Sequence, residues 1–414
     1  MESLTLFRNN KEKSYFLFIV LIIFSFNLNL QYNNYTNFKN EEVFQTDATI
    51  INIYQKQKYQ VLKLQTKEFV CFTSTTKQIT YKKMQDVNLY LLTNNIDFID
   101  YLKGFYTKNF NLQIQNKTIL STKEKIMAYI DLQHNNTQIS SLYKALFLAI
   151  PVESSLRDIF ASYGISHLIA ISGFHLGVIS FILYFLFHMI YKPIHQRYLP
   201  FRNKRFDLMI FISIILLIYL IFVNLVPSLL RSFTMFIFGL FLLRNNIKIF
   251  SFETLLIIIL IIIALFPKLI FSLSLWFSIA GVFYIYLFIQ YFKKMNKYIA
   301  FLLFNFWIYF SLNPITHYFF ETTALEQLYS PIITIGFTIF YPFSAFLHII
   351  NLGEILDSGL NSILNYDIIT YKKLTPLWFF ILYLMFSFLS IFSKKSFIVL
   401  NILFLLFNFW LFLI

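Results

Sequence analysis

Two histidines, a serine and two glycines fall within the eleven residues His167-Leu168-Ile169-Ala170-Ile171-Ser172-Gly173-Phe174-His175-Leu176-Gly177, at the start of a long apolar run. An apolar helix does not need these residues for stability. His167 and His175 are eight apart, which is roughly 80° around a regular helix. If the helix breaks near Gly173, the two rings can face each other, because glycine permits a close backbone approach or an opening there. Three chemistries fit: a polar lining for a conduit, hydrogen bonds that lock helices together, or nucleophilic catalysis by Ser172 with a histidine base. No third group to orient such a base is evident.

Arg231 stands in Pro227-Ser228-Leu229-Leu230-Arg231-Ser232, inside another apolar run. A charge there costs several kcal/mol, on the order of 3, unless it pairs, snorkels or faces water. It fits a cationic contact for an anionic substrate such as a phosphate, or a side chain snorkelling to the outer interface. Arg157, beside Asp158, reads as a surface ion pair or as a contact at the conduit mouth.

Basic and aromatic residues alternate between about 31 and 117. Lys56, Lys58, Lys63, Lys67, Lys77, Lys82, Lys83 and Lys103 mix with Tyr54, Tyr59, Phe69, Phe72 and Tyr81. Such a mixture suits single-stranded nucleic acid, whose bases stack while its phosphates pair. Lys56, Lys58, Lys82, Lys83, Tyr54 and Tyr81 are the candidates. From Asn40 to Lys117, however, ten lysines meet seven acids, so an ordinary solvated face explains the pattern equally well.

The chain has no G-x-x-x-x-G-K-[ST] loop, no H-E-x-x-H and no His-x-His-x-Asp-His run. A nucleotide-hydrolysing or metal-hydrolase activity is therefore not expected, and neither is a cofactor. Cys71 is the single cysteine, which excludes an intrachain disulfide.

These residues need elements to hold them, and hydrophobic density says which. Of the 414 residues, 58% are hydrophobic and only 13% charged, against about 25% charged in soluble domains. A bilayer absorbs that much apolar surface; a soluble core does not. The first run, Tyr15 to Leu30, follows Arg8, Lys11 and Lys13 and has no small-residue cleavage site, so it reads as a retained anchor. Residues 31–120 then lose hydrophobic density. Alternating stretches such as 48–54, 59–64 and 68–73 predict about five strands, a small barrel or sandwich. Within 121–164, Ser121-Thr122-Lys123-Glu124 predicts a capping box. Leu142, Leu146, Ile150, Leu156, Ile159 and Phe160 predict helices lying on or near the membrane.

From 165 to 414, spans are expected at about 168–191, 206–225, 228–243, 251–266, 270–292, 298–312, 328–350, 376–392 and 396–414. Pro227, Pro267, Pro314 and Pro376 fall at their boundaries, whereas Pro331 and Pro342 fall inside one span and predict a kink or break. The fold class is thus a polytopic α-helical membrane protein of about nine or ten spans with a small extracytoplasmic β-rich insert. With a cytoplasmic N-terminus, fifteen Lys and Arg lie in inside segments, including Lys372 and Lys373. The short outside segments then hold three, Lys268, Lys394 and Lys395. The net charge of +14 therefore speaks largely of orientation. The 376–414 hairpin is the segment this count constrains least.

The run His167-Leu-Ile-Ala-Ile-Ser-Gly-Phe-His175 closely resembles the signature of the ComEC family of competence proteins. Ala145-Leu146-Phe147-Leu148 and Arg157 resemble the family's approach to that signature. Pro227-Ser228-Leu229-Leu230-Arg231 resembles its helix start, Leu273-Ser274-Leu275-Trp276-Phe277-Ser278 a further element, and Ser330-Pro331-Ile332-Ile333, more loosely, a later one. The resemblance implies an OB-like insert and a bacterial inner-membrane channel taking up single-stranded DNA. His167, Ser172, Gly173, His175, Ser228 and Arg231 would line or shape it. It further implies an extracytoplasmic DNA receptor and a cytoplasmic motor or helicase as partners, and is compatible with a homo-oligomer. Many family members carry a C-terminal metallo-β-lactamase-like domain; this sequence ends in apolar Phe409-Trp410-Leu411-Phe412-Leu413-Ile414 and resembles a short form. Its rivals are a permease for another anionic substrate and an intramembrane hydrolase.

Overall fold

The computed structural model describes residues 9–77, 79–115, 121–245 and 251–413. Arg8 and Lys248, both counted in the orientation argument, lie outside the described residues.

Helix α1 (Asn10–Lys39) has thirty residues, about 45 Å at the helical rise. That exceeds the roughly 30 Å of hydrocarbon. The anchor expected to stop at Leu30 therefore continues into the insert, where Tyr35 and Phe38 are buried. Their rings pack on Phe69, Phe98 and Tyr101 at 5.1–5.7 Å, and this aromatic contact carries the helix past the membrane boundary.

The insert follows with β1 (Val43–Gln55), β2 (Gln60–Gln65), β3 (Val70–Thr75), β4 (Asp86–Leu92), α2 (Phe98–Lys103), β5 (Phe105–Tyr106) and β6 (Asn109–Ile114). The sheet order is β5-β3-β2-β1-β4-β6. Strand β1 is long enough to pair β4 with its first half and β2 with its second, and its register shifts between Ile50 and Asn52. Strand β5 runs parallel to β3 and β6 antiparallel to β4. The two are halves of one stretch that joins both edges, so the expected fifth strand is present in two pieces. This is the strand order of a five-stranded OB-like barrel. Ile50, Leu62, Leu64, Cys71, Val87, Leu89 and Leu91 fill it without exposure.

Four short helices come next: α3 (Thr122–Leu132), α4 (Thr137–Leu148), α5 (Ser154–Ser162) and α6 (Ser166–Ile169). The expected capping box opens α3, with the Glu124 N–H donating to Ser121 Oγ at 3.3 Å and the Ser121 N–H to Glu124 Oε2 at 2.6 Å.

The bundle consists of α7 (Gly173–Tyr198), α8 (Lys204–Phe222), α9 (Pro227–Arg244), α10 (Phe252–Leu265), α11 (Leu273–Phe292) and α12 (Lys297–Phe319). Strand β7 (Thr322–Thr323), α13 (Ser330–Ile349), α14 (Asp357–Leu364), β8 (Tyr371–Lys372), α15 (Leu377–Leu389) and α16 (Lys394–Leu413) complete it. Among the described residues, seven helices are long and apolar enough to cross a membrane: α1, α7, α8, α11, α12, the stretch 325–349 containing α13, and α16. Helices α10 and α15 are apolar but shorter.

Three expectations need correction. The apolar stripes of α4 and α5 do not lie on lipid: Leu142, Leu146, Leu156 and Phe160 are buried in one core with Phe337 and Tyr341 of α13. Pro314 sits inside α12, which runs on to Phe319. The expected break is absent, since helix α13 is continuous across Pro342, and Pro331 occupies its first turn, where no hydrogen bond is lost.

The fourth correction concerns topology. Strands β7 and β8 pair, Thr322 with Lys372 and Thr323 with Tyr371, and Lys372 forms an ion pair with Glu321. The chain therefore leaves α12 and re-enters α15 at the same end of the bundle. Residues 324–370 make an excursion that returns. Lys372 and Lys373 join the end expected to be outside. At the other end, Gln290 and Tyr291 of α11 bond the carbonyls of Ile391 and Ser390, so Lys394 and Lys395 lie with the C-terminus of α11. One lysine pair replaces the other, leaving the charge count unchanged.

Candidate functional site

The signature segment is broken as its glycine allows. Helix α6 ends at Ile169, Ala170 is extended, and α7 begins at Gly173 with Ser172 as its N-cap. The break frees backbone groups that need partners. The Ser172 N–H donates to His175 Nδ1 at 3.2 Å, with Ser172 Oγ 3.3 Å from the same nitrogen. From α9, Ser228 Oγ donates to the Ile171 carbonyl at 2.6 Å. Ser172 and His175 thus do meet, as the two members of a capping box.

Because His175 Nδ1 accepts from a backbone N–H, the ring proton of the neutral imidazole sits on Nε2. That nitrogen is buried without a hydrogen-bond partner, and the residue has no exposed surface. Phe337 and Tyr341 of α13 cover it, with ring centroids 5.6 and 4.6 Å away. His167 lies within electrostatic reach of His175. Its side chain, on α6, is exposed.

Gly173 sets α7 against α9. A Cβ there would stand 3.1 Å from Ser232 Oγ. One turn before that contact lies Ser228, and next to Ser232 lies Arg231. The guanidinium does not snorkel; it is 6% exposed. Its Nη1 donates to the carbonyl of Ser274, in the first turn of α11, at 2.5 Å, while Nε has no partner. Among the described residues no carboxylate pairs with it. Ser274 stood in a quoted sequence element but not among the candidates, and nothing in its type announced the contact.

The remaining candidates divide. Arg157 is exposed on α5, near Lys83 and Glu153. Lys83 reaches the Pro151 carbonyl at 2.6 Å, and burial lowers its pKa from the ordinary lysine value, so it ties the insert to the bundle. Tyr81 is buried in the barrel core and cannot stack on a base, which corrects its assignment. Lys56 and Lys58 are exposed on the β1–β2 turn, with Tyr54 half-buried before them; Lys82 is exposed on the β3–β4 loop. Lys63 lies 5.6 Å over the Phe72 ring on β2 and β3. The insert is further held by Lys268, between α10 and α11, which donates to the Glu68 carbonyl and lies 5.3 Å over Tyr101. Burial lowers the Lys268 ammonium to about 8, with Glu68 opposing.

A small barrel standing on one end of a helical bundle, with a broken helix and a buried cation at that end, defines a polytopic membrane protein built around a polar helix junction. A family model described as "Competence protein" matches residues 151–414, and the chain belongs to that family, whose role is in competence and DNA uptake. No curated protein and no solved structure matches it.

Proposed function

We propose that this chain is the inner-membrane channel through which single-stranded DNA enters during natural transformation, with its N-terminus in the cytoplasm. The observation that carries the proposal is Arg231: a buried side chain with an unpartnered Nε donor and no carboxylate partner among the described residues. Its location beside a helix break favours a passing phosphate as the missing counter-charge. His167, Ser172, Gly173, His175 and Ser228 shape that junction. Lys56, Lys58, Lys82 and Tyr54 would meet the strand at the insert, an extracytoplasmic receptor would deliver it, and a cytoplasmic motor or helicase would pull it.

Deleting the gene tests the reading. Transformation frequency should fall by orders of magnitude and return with a plasmid copy; an unchanged frequency ends the proposal. A permease for another anion is the second reading, favoured by the same buried cation. Binding of single-stranded DNA to the full chain separates the two: log affinity should fall steeply with log salt if phosphates are neutralised.

A further inference from the structure

Residues 324–370 leave and return at one end of the bundle, and their two ends are held by neighbouring residues. Ser330 Oγ, at the start of α13, donates to the Gly164 carbonyl at 2.9 Å. Tyr163 OH donates to the Ile363 carbonyl at the end of α14, at 3.2 Å. Helix α14 has eight residues, about 12 Å, too short to cross a bilayer on the way back. Helices α13 and α14 are therefore the arms of a hairpin, and the middle of its first arm presses Phe337 and Tyr341 onto His175.

The tip of the hairpin is held by a buried chain of hydrogen bonds. Asp357 Oδ1 and Oδ2 lie 2.9 and 3.1 Å from His134 Nδ1. His134 Nε2 lies 2.9 Å from His348 Nε2. His348 Nδ1 lies 2.7 Å from the Ser344 carbonyl, to which it donates. Gln133 clamps the same corner, donating to the His348 carbonyl at 3.2 Å and accepting from the Gly353 N–H at 3.0 Å. A Cβ on Gly353 would come within 2.6 Å of that Gln133 oxygen and 3.0 Å of His348 Nε2, so a side chain there would push the clamp aside. None of these histidines belongs to the signature segment.

Counting protons shows what the chain requires. It has three bonds, and each holds one proton: Asp357 to His134, His134 to His348, and His348 to the carbonyl. Two neutral imidazoles supply two. The third is an extra proton, balanced by the charge of Asp357. Without it, two lone pairs face each other, either at the histidine–histidine contact or between His134 Nδ1 and the Asp357 carboxylate. With a fourth, two imidazolium rings do. The titratable groups in contact with this chain are Tyr129 of α3 and Tyr143 of α4; Asp131, Lys144 and Glu354 are the charged residues next along α3, α4 and the hairpin tip. Tyr143 stacks on His134 at 4.8 Å and meets His348 at 4.3 Å; Tyr129 OH donates to the His348 carbonyl at 3.0 Å. Asp131 is engaged by Lys144 at 2.5 Å, and Glu354 is exposed. Asp357 is the carboxylate in contact with the pair.

We propose that Asp357, His134 and His348 form a single-proton latch that holds the α13–α14 hairpin shut as a lid over His175. The latch is a property of the folded chain itself; that the lid must open for uptake rests on the channel reading. Loss of the third proton breaks one of the three bonds and opens the latch. An asparagine at 357 donates its own amide proton to His134 Nδ1 and completes the chain with neutral histidines, so it closes the latch without needing the third proton.

The experiment places His175→Cys in the full chain in membrane vesicles and follows its reaction with a maleimide; Cys71 is buried. In the parent, labelling is slow near neutral pH. Asp357→Ala should speed it at least tenfold. Raising the pH should speed the parent far more than Asp357→Asn, which carries the same thiol and so corrects for the reagent's own pH dependence. Slow labelling in Asp357→Ala, or the same pH profile for Asp and Asn at 357, overturns the latch. Where Asp357→Ala fails to accumulate, the Asp–Asn comparison decides alone. A second pair, Asn136→Cys with Asn361→Cys, replaces a 2.6 Å side-chain bond between α4 and α14. Its disulfide should cut uptake at least tenfold, and a reductant should restore it; full uptake with the crosslink formed overturns the lid. Labelling needs no transported DNA, so failure of the channel reading leaves the latch result standing.

Discussion

Gly173 and Ser232 meet across two helices, and their contact is where the signature does its structural work. A Cβ at 173 would press on Ser232 Oγ at 3.1 Å. Gly173→Ala should therefore destabilise the α7–α9 contact by about 1–3 kcal/mol, the usual range for overpacking. Ser232→Gly should recover most of that loss, measured as a double-mutant cycle in thermal unfolding of the detergent-solubilised chain. Additive effects would mean that the glycine serves something other than this approach. Ser228→Ala should cost about 1 kcal/mol by stripping the Ile171 carbonyl of its donor. The need for a small residue at 173 was legible in the sequence, because a glycine that opens an apolar helix has few uses. The partners were not. Ser232, Ser274, Phe337 and Tyr341 are ordinary residues for apolar helices, and only the packing of α9, α11 and α13 brings them to this junction. Tyr81 failed in the opposite sense: an aromatic beside two lysines looks like a stacking platform, but the β3–β4 loop folds it into the barrel core. Cys71 is equally hidden, unexposed, its thiol pushed up to about 12 by burial. It should resist maleimide in the native chain and react only when the insert unfolds, which gives a direct probe of barrel stability.

Among the elements, the helices were legible and their termini were not. Apolar density located all nine long runs after 165, while α1 overshot its expected end by nine residues because its last aromatics belong to the insert's core. Helices α12, α15 and α16 are joined by polar side chains that the sequence scatters through apolar runs. Asn313 Nδ2 donates to Asn408 Oδ1 at 2.6 Å, Trp307 Nε1 to Asn401 Oδ1 at 2.8 Å, and Tyr383 OH to the Ser311 carbonyl at 2.7 Å. Such bonds in bilayers are worth about 0.6 kcal/mol on average, but a buried group left without its partner loses about 1–3 kcal/mol. Asn408→Leu should therefore destabilise more than the pair Asn313→Leu with Asn408→Leu, read from denaturation in detergent. A pair worse than the single change would mean the two amides act independently.

At the scale of the molecule, the fold turns on which end holds each loop, and here two sources of information separate. Charge counting gives the same total whether Lys372 and Lys373 or Lys394 and Lys395 are inside, since each loop contributes two lysines. Backbone pairing separates them. The β7–β8 ladder and the Glu321–Lys372 ion pair set Lys372 at the end of α12, and Tyr371 OH donates to the Leu411 carbonyl at 3.0 Å, so α16 finishes there too. At that end also lies the insert, since Lys268 holds the Glu68 carbonyl. A single cysteine at Lys372, in a chain whose own cysteine is buried, should react with a membrane-impermeant maleimide from the side that also labels a cysteine at Lys56. A cysteine at Lys395 should react only after the membrane is permeabilised. The reverse pattern for 372 and 395 would restore α13 as a simple span, dissolve the hairpin, and remove the lid from the polar junction. The expected pattern leaves nine crossings among the described residues, α1, α7–α12, α15 and α16, with α13 and α14 folded back over the broken helix start that they cover.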